Sequence, residues 1–419
     1  MIKKIQGLVA MIIVASVFFW CYHSYAQNRE EIMPKEEIEK EIEMETSSAD
    51  VVIWYSDSAL ESYLNDISET YFKKNNVSVA AIYVSSVDFL ETVNNMNISG
   101  KGAPDIFITG SEMLEKVYLS GLYKENTDTD TYNEDNYPEI ALNCVTYENQ
   151  MLGYPLSFNV SFLACNMDNT DSLPKTFDEI YNFSNNFVSP ENSSVQSILE
   201  WNVSDLVYNY PFIGAYLNLG GESGIDSSKV NLNNQNALKA LKYYQNLNTI
   251  FAVNKNSTEE NIEDDFVNQK TVFAILDCNS VSKLEKAEFD IDIAEFPDLS
   301  NSLKTKALSE TSVLIINPYT KNAEKAQDVA KFMTFDYADK MYEKGGLQSC
   351  RLLKDYANDY NEKIIGFYEE STSLPKFRVT GDYWLSLQNM LNSVWNGGDA
   401  EEELNALQSG IEEKMQIYK

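Results

Sequence analysis

Histidine is almost missing from this chain. The single one among 419 residues, His23, lies in the N-terminal targeting segment. The folded part therefore has no means of building a histidine-based catalytic triad, a histidine metal site or an imidazole proton shuttle. Cysteine is scarce too: Cys21, Cys144, Cys165, Cys278 and Cys350 include no C-x-x-C pair, which removes the usual zinc and dithiol patterns. The four cysteines beyond Cys21 read as free buried thiols, although their spacing leaves pairing open. Basic residues are few, with 32 Lys and Arg against 64 Asp and Glu for a formal net charge of -32. Such a surface repels phosphate backbones and anionic headgroups, so nucleic acid is not an expected partner. The acidity reads first as solubility and second as a site for a cationic ligand. No apolar run beyond the N-terminus is long enough to cross a bilayer.

Hydrophobic residues make up 44% of the chain, and 26 Tyr and 20 Phe are among them. That is enough for sizeable cores, and the length implies two domains rather than one. At the N-terminus Lys3 and Lys4 precede an apolar run from Leu8 to Trp20, the form of an export signal. Three readings stand side by side: cleavage after Ala26, lipid attachment at Cys21 (preceded by Phe18-Phe19-Trp20, not by small residues), or an uncleaved anchor extending to Tyr25. Each puts the remainder outside the cytoplasm. Residues 1–26 are thus a signal peptide or membrane anchor, and residues 27–49, rich in glutamate, an acidic linker.

From residue 50 onward, strand patterns alternate with helix patterns. Val51 to Tyr55, Val79 to Val84 and Ile106 to Ile108 read as strands. Between and after them, Leu60, Tyr63, Leu64, Ile67 and Tyr71, then Phe89, Leu90, Val93 and Met96, then Leu114, Val117 and Tyr118 recur at helical spacing. The grammar returns later, with a helix around Leu238 to Leu247 and strands at Thr271 to Leu276, Ile291 to Phe296 and Ser312 to Ile316. Helices follow at Ala323 to Met333 and at about Leu385 to Trp395. This alternation predicts an α/β fold with mainly parallel sheets.

The order of several short segments resembles a family. Val51-Val52-Ile53-Trp54, Gly102-Ala103-Pro104-Asp105-Ile106-Phe107, Gly153-Tyr154-Pro155-Leu156, Leu173-Pro174-Lys175-Thr176-Phe177-Asp178-Glu179 and Asn396-Gly397-Gly398-Asp399 together resemble the extracellular solute-binding proteins of the sugar-binding ABC importers. The similarity runs over roughly residues 50 to 419. One departure stands out: Asn268-Gln269-Lys270 and Asp277-Cys278-Asn279-Ser280 lack the glycine and the tryptophan that the family usually carries near the second-lobe pocket.

The resemblance implies a two-lobed clamp of the periplasmic-binding-protein kind, each lobe a sheet flanked by helices. It divides the chain into an N-terminal lobe of residues 50–157 plus 298–335 and a C-terminal lobe of residues 160–295 plus 338–419. It implies a non-enzymatic monomer that binds a small solute, expected to be a sugar or oligosaccharide, closes by a hinge motion and docks on ABC permease subunits. No cofactor and no metal are expected. Pockets in such folds lie outside strand ends and between domains. Ser56 and Asp57, Ser85 and Ser86, and Thr109-Gly110-Ser111 follow the first three strands; each is a ligand contact or a helix cap. Asn159 and Phe158 sit at the expected crossing between lobes. Asp277 and Asn279 end a second-lobe strand, and Tyr383 and Trp384 match a position where the family stacks an aromatic ring on sugar. Trp201 and Tyr208 read as packing, Arg351 as a surface salt bridge, and Asn126 to Asn136 as a solvated loop in preference to a calcium loop. Competing readings are a surface sensor or adhesion module and a clamp for a peptide, polyamine or metal complex. A glycosidase is disfavoured, since nothing marks one carboxylate pair among so many.

Overall fold

A computed structural model describes residues 49–417 apart from 86–87, 101, 192, 222–223 and 378. The signal or anchor and nearly all of the acidic linker lie outside the described residues. The chain enters the fold at β1 (Val51–Tyr55), every residue of which is buried. The helix Glu61–Asn75 follows and presses Tyr63, Leu64, Ile67 and Tyr71 inward, four positions on one helical face. It ends at Asn76 in the left-handed conformation, which asparagine tolerates better than most residues. β2 (Val79–Tyr83), the helix Phe89–Ser99 and β3 (Ile106–Gly110) complete the expected alternation. β2 and β3 flank β1 in parallel, with Val51 opposite Val79 and Ile53 opposite Ile106.

Asp105 of the Gly-x-Pro-Asp segment is buried and works as a tie. Its carboxylate accepts the backbone N–H of Val52 at 2.9 Å and the hydroxyl of Thr320. It thereby pins the entry of β3 to β1 and to the turn after the later strand Leu308–Ile316. A short hairpin, β4 (Thr146–Tyr147) and β5 (Gln150–Met151), closes on Glu148 and Asn149, both at positive φ. Two consecutive positive φ angles match the right-handed twist of the flanking strands.

β6 (Tyr154–Asn166) is a single strand of 13 residues that belongs to two half-sheets. Its first part pairs with β12 (Leu308–Ile316), with Asn159 opposite Glu310 and Phe158 opposite Thr311. Its second part pairs with β10 (Thr271–Asp277), with Ser161 opposite Asp277. The lobes therefore exchange partners at Val160 and Ser161. Beyond β10 lies β7 (Ser197–Glu200), parallel to it, and β11 (Ile291–Ala294) adds to the end of β6. β8 (Asn218–Gly220) and β9 (Asp226–Asn231) form a separate hairpin. The full strand order is β2-β1-β3-β12-β6-β10-β7.

The sheet is mixed. The strands of the early β-α units run parallel, whereas β6 pairs antiparallel with its neighbours and β12 runs antiparallel to both β3 and β6. They enter as crossings between lobes and not through crossover helices, so nothing forces a parallel return. The part of the chain after 338, expected with the second lobe, first returns to the β6–β12 half-sheet. β13 (Gln348–Ser349) pairs with Phe158 and Ser157, and β14 (Thr372–Ser373) pairs with the start of β12. The reason is packing: from the helix Asp359–Glu369, Tyr368 stacks on Phe158 at 4.0 Å and shares a hydrogen bond with Thr311. Only the helices Thr380–Trp395 and Ala400–Ile417 join the second lobe. There Trp395 packs on Trp201 and Tyr244, and Trp201 and Tyr244 both pack on Phe212.

Two apolar cores result, one around β1, β3 and the inner face of β6, the other around β7, β10 and the last two helices. Cys144, Cys165, Cys278 and Cys350 are buried and free. Among the described residues no helix is long and apolar enough to cross a membrane.

Candidate functional site

A cavity of about 520 Å³ opens where the strand ends of the first half-sheet meet the start of the helix Thr380–Trp395. One wall is built from the turn after β1 (Ser56, Asp57), the end of β3 (Thr109, Gly110) and the turn that follows it (Glu112, Met113, Lys116). The floor is Glu310, Thr311 and Ser312 of β12. The opposite wall is Phe377, Gly381 and Trp384, delivered by the segment that leads into the helix Thr380–Trp395. That segment is anchored by Lys376. Its buried ammonium group donates to the carbonyls of Asn143 and, at 3.1 Å, Thr146 at the end of the helix Glu139–Val145. A cation at a helix C-terminus meets the negative end of the dipole. Burial alone pushes the Lys376 pKa down.

The expected residues separate into three groups. Ser56, Asp57 and Trp384 line the cavity. Asp57 also caps the next turn, accepting the N–H of Ala59 at 2.9 Å, so the two roles coexist. A second group forms a polar tie beneath the crossing. Asn159 donates its amide to Asp277 at 2.8 Å and accepts the N–H of Cys278 at 3.1 Å. Asp277 accepts the N–H of Asn279 at 2.9 Å and its side-chain amide at 3.2 Å. Asp277 is buried and caps the turn Cys278–Ser280, and Asn279 is exposed beside it. The third group stands apart from the cavity. Ser85 is exposed past the end of β2, and Ser86 lies outside the described residues. Ser111 is buried at the start of its turn, and its neighbours Gly110 and Glu112 line the cavity in its place. Tyr383 is 1% exposed and packs in the second core against Tyr210, because helical geometry turns it a full 100° away from Trp384.

Other readings resolve similarly. Trp201 is core, its indole N–H donating to Asn209 at 3.0 Å. Tyr208 is buried behind the cleft near Asp277 and Glu259. Arg351 makes no surface salt bridge among the described residues. It stacks on Phe335 at 3.9 Å and donates to the carbonyl of the same residue. In the loop from Asn126 to Asn136, Asp128 is occupied by Thr131 and by Lys331 at 2.9 Å. No group of three or more His, Cys, Asp or Glu is arranged to hold a metal ion among the described residues.

Sequence reasoning missed Glu112 and Glu310. Glu310 is a glutamate in the interior of a strand that is otherwise buried at Leu308, Ser309 and Thr311. A lone charge in such a run was the available signal. Its side chain lines the cavity and keeps contact with solvent there. That partial burial pushes its carboxyl up to about 7, with the charges of Glu112, Asp205, Asp277 and Asp57 adding to the effect. Burial also raises Glu112, against the pull of its own backbone N–H and of Lys116. Deeper in, Asp277 and Glu259 face one another, and burial raises both. The cleft is therefore a hydrogen-bond-accepting, negatively charged trough with an indole on its far side.

Comparison with known proteins fits this geometry. Residues 55–338 match the family described as bacterial extracellular solute-binding protein. The maltodextrin-binding protein MdxE of Bacillus subtilis (strain 168) is 21% identical over 375 residues, spanning 84% of this chain and 88% of that protein. Among solved structures, a cyclo/maltodextrin-binding protein complexed with maltotetraose superposes with a TM-score of 0.74 at 17% identity, covering 88% of this chain and 98% of that one. The extracellular solute-binding protein from Staphylococcus aureus in complex with maltose gives a TM-score of 0.74 at 18% identity with the same coverage. These likenesses give the two-lobed clamp fold, and the match over residues 55–338 gives the family: the chain belongs to the bacterial extracellular solute-binding proteins.

Proposed function

We propose that the protein captures a saccharide in the cleft between its lobes, outside the cell membrane, and delivers it to the permease of an ABC importer when the lobes close. The observation that carries this reading is the placement of Trp384 across one cavity from Asp57, Glu112 and Glu310. Sugar rings offer hydroxyls to carboxylates on one side and a flat C–H face to an aromatic ring on the other. Relatives named for maltodextrin or solved with maltose and maltotetraose support the same class. Closure follows from the architecture: ligand touching both walls binds the closed form better than the open one and shifts the population toward it. The N-terminal segment supplies export, and either an anchor or a lipid at Cys21 keeps the protein at the outer face of the membrane, or cleavage after Ala26 releases it.

A thermal-shift series on the full chain tests the proposal. A saccharide that binds only the folded protein raises the melting temperature, by about 2.7 kcal/mol of added stability at a hundredfold excess over Kd. We expect a rise with at least one saccharide class and its loss in Trp384→Ala. A series in which no saccharide shifts the transition, while a peptide or linear polyamine does, overturns the sugar reading and keeps the clamp.

A further inference from the structure

The site is given by the cavity and its indole wall. Its charge carries a separate message. Among the described lining residues there are three carboxylates, Asp57, Glu112 and Glu310, and one ammonium, Lys116. Lys116 stands close enough to Glu112 to pull down its pKa, so Asp57 and Glu310 are left without a cation in the cavity. Asp205 and Asp277 add further negative charge from behind Glu310. An open cleft tolerates this, because water solvates each carboxylate. A closed cleft does not: burying unpaired charge is strongly unfavourable. Hydroxyl donors from a neutral sugar satisfy lone pairs and leave the charge in place. A ligand ammonium satisfies lone pairs and cancels charge at once. The opposite indole face suits both the ring of such a ligand and its positive charge.

Building on the saccharide reading above, we infer that the ligand is a cationic saccharide, bearing at least one free ammonium group, and that Glu310 is the residue that selects it. Glu310 is placed for that role. It sits on β12, directly opposite Asn159 at the crossing between lobes. No hydrogen bond or ion pair occupies its carboxylate among the described residues. A ligand that neutralises it therefore relieves repulsion at the hinge as the cleft shuts.

Titration calorimetry on the full chain near neutral pH, where the Glu310 carboxyl ionises, tests this, using a glucosamine tetramer, its fully N-acetylated counterpart and maltotetraose at low and high salt. The amine tetramer is expected to bind about tenfold tighter or more than its acetylated counterpart, the effect of one charge-assisted bond. Its affinity is expected to fall with added salt. Glu310→Gln should lower amine affinity about tenfold and erase the preference, and Asp57→Asn should weaken it in the same direction. If acetylated or glucan tetramers bind as well as the amine tetramer, the inference is overturned and the saccharide reading stands. A preference that survives intact in Glu310→Gln overturns the role of Glu310. Binding of a linear polyamine with no response to any saccharide overturns both readings.

Discussion

Replacing Glu310 with glutamine should stabilise the ligand-free protein, and the gain should depend on pH in a defined direction. The Glu310 carboxyl is held from an ordinary 4.5 up to about 7 by partial burial and by the carboxylates around it. A folded-state pKa raised above the unfolded value means that the fold binds this proton more tightly than the unfolded chain does. Below about pH 4.5 the group is neutral in both states and costs nothing. Between about 4.5 and 7 the cost of the charged form grows, and above 7 it is fully present. At about 1.36 kcal/mol per pH unit the unscreened cost is about 3 kcal/mol. The side chain is more than a third exposed in the open cleft, so solvent screening reduces that to about 1–2 kcal/mol. Urea denaturation of the wild type and Glu310→Gln across this pH range measures it. The variant should be more stable by about 1–2 kcal/mol near pH 8, with the two curves converging toward pH 4.5. A variant that is equally or less stable at pH 8, or a gap that persists on acidification, refutes the electrostatic account. A stability gain at a residue lining the proposed site would be the usual sign of a site held away from its stability optimum for function.

Three further outcomes follow from the same structure. Tyr383→Ala removes a fully buried aromatic from the second core and should cost about 3–5 kcal/mol in denaturant titration, whereas Trp384→Ala should leave stability within about 1 kcal/mol and abolish the ligand-induced thermal shift. Asp105→Ala strands the buried N–H of Val52 and the hydroxyl of Thr320; a loss of about 2–4 kcal/mol is expected, and a change below about 0.5 kcal/mol would mean water replaces the tie. Thr176→Ala removes the cap that accepts the N–H of Glu179 at 3.1 Å and should cost about 1 kcal/mol, measurable as a lower urea midpoint at unchanged slope.

The local alternation of strand and helix was legible in the sequence because each early element carries its own period. The helix Glu61–Asn75 shows its buried face at 63, 64, 67 and 71, and β1 is a short apolar run bounded by turn residues. What could not be read locally was anything set by partners distant in sequence. Residues 154–166 carry no periodicity showing that one strand serves two half-sheets, and the crossing at Phe158 and Asn159 was expected only from the family resemblance; it is decided by β12 and β10, which arrive more than a hundred residues later. The return of residues 348–373 to the first half-sheet depends likewise on Tyr368 finding Phe158. Site residues divided along the same line. Asp57 was singled out from its place after the first strand and Trp384 from the family resemblance, and both line the cavity. Tyr383 and Trp384 are adjacent in sequence, and only the helix's orientation against the second core decides which of them is buried.

If the ligand is cationic as proposed, the polar tie under the cleft links its charge to lobe closure. Asn159 lies on β6 one residue before the exchange of partners at Val160 and Ser161, opposite Glu310 on one side and bonded to Asp277 on the other. Any rotation of the second half-sheet about this point changes the Asn159–Asp277 geometry while moving Asp277 relative to Glu310. Burial already pushes up the carboxyls of Asp277, Glu259 and Glu310, so bringing them closer with no counter-charge raises the energy of the closed state. On that proposal the repulsion would favour the open form of the empty clamp, and a ligand that neutralises Glu310 would remove that bias. The proposed link between binding and closure would then run through three carboxyls and one asparagine at the crossing, and Asn159→Ala, at a position that does not itself line the cavity, should weaken the coupling, read as a smaller ligand-induced thermal shift.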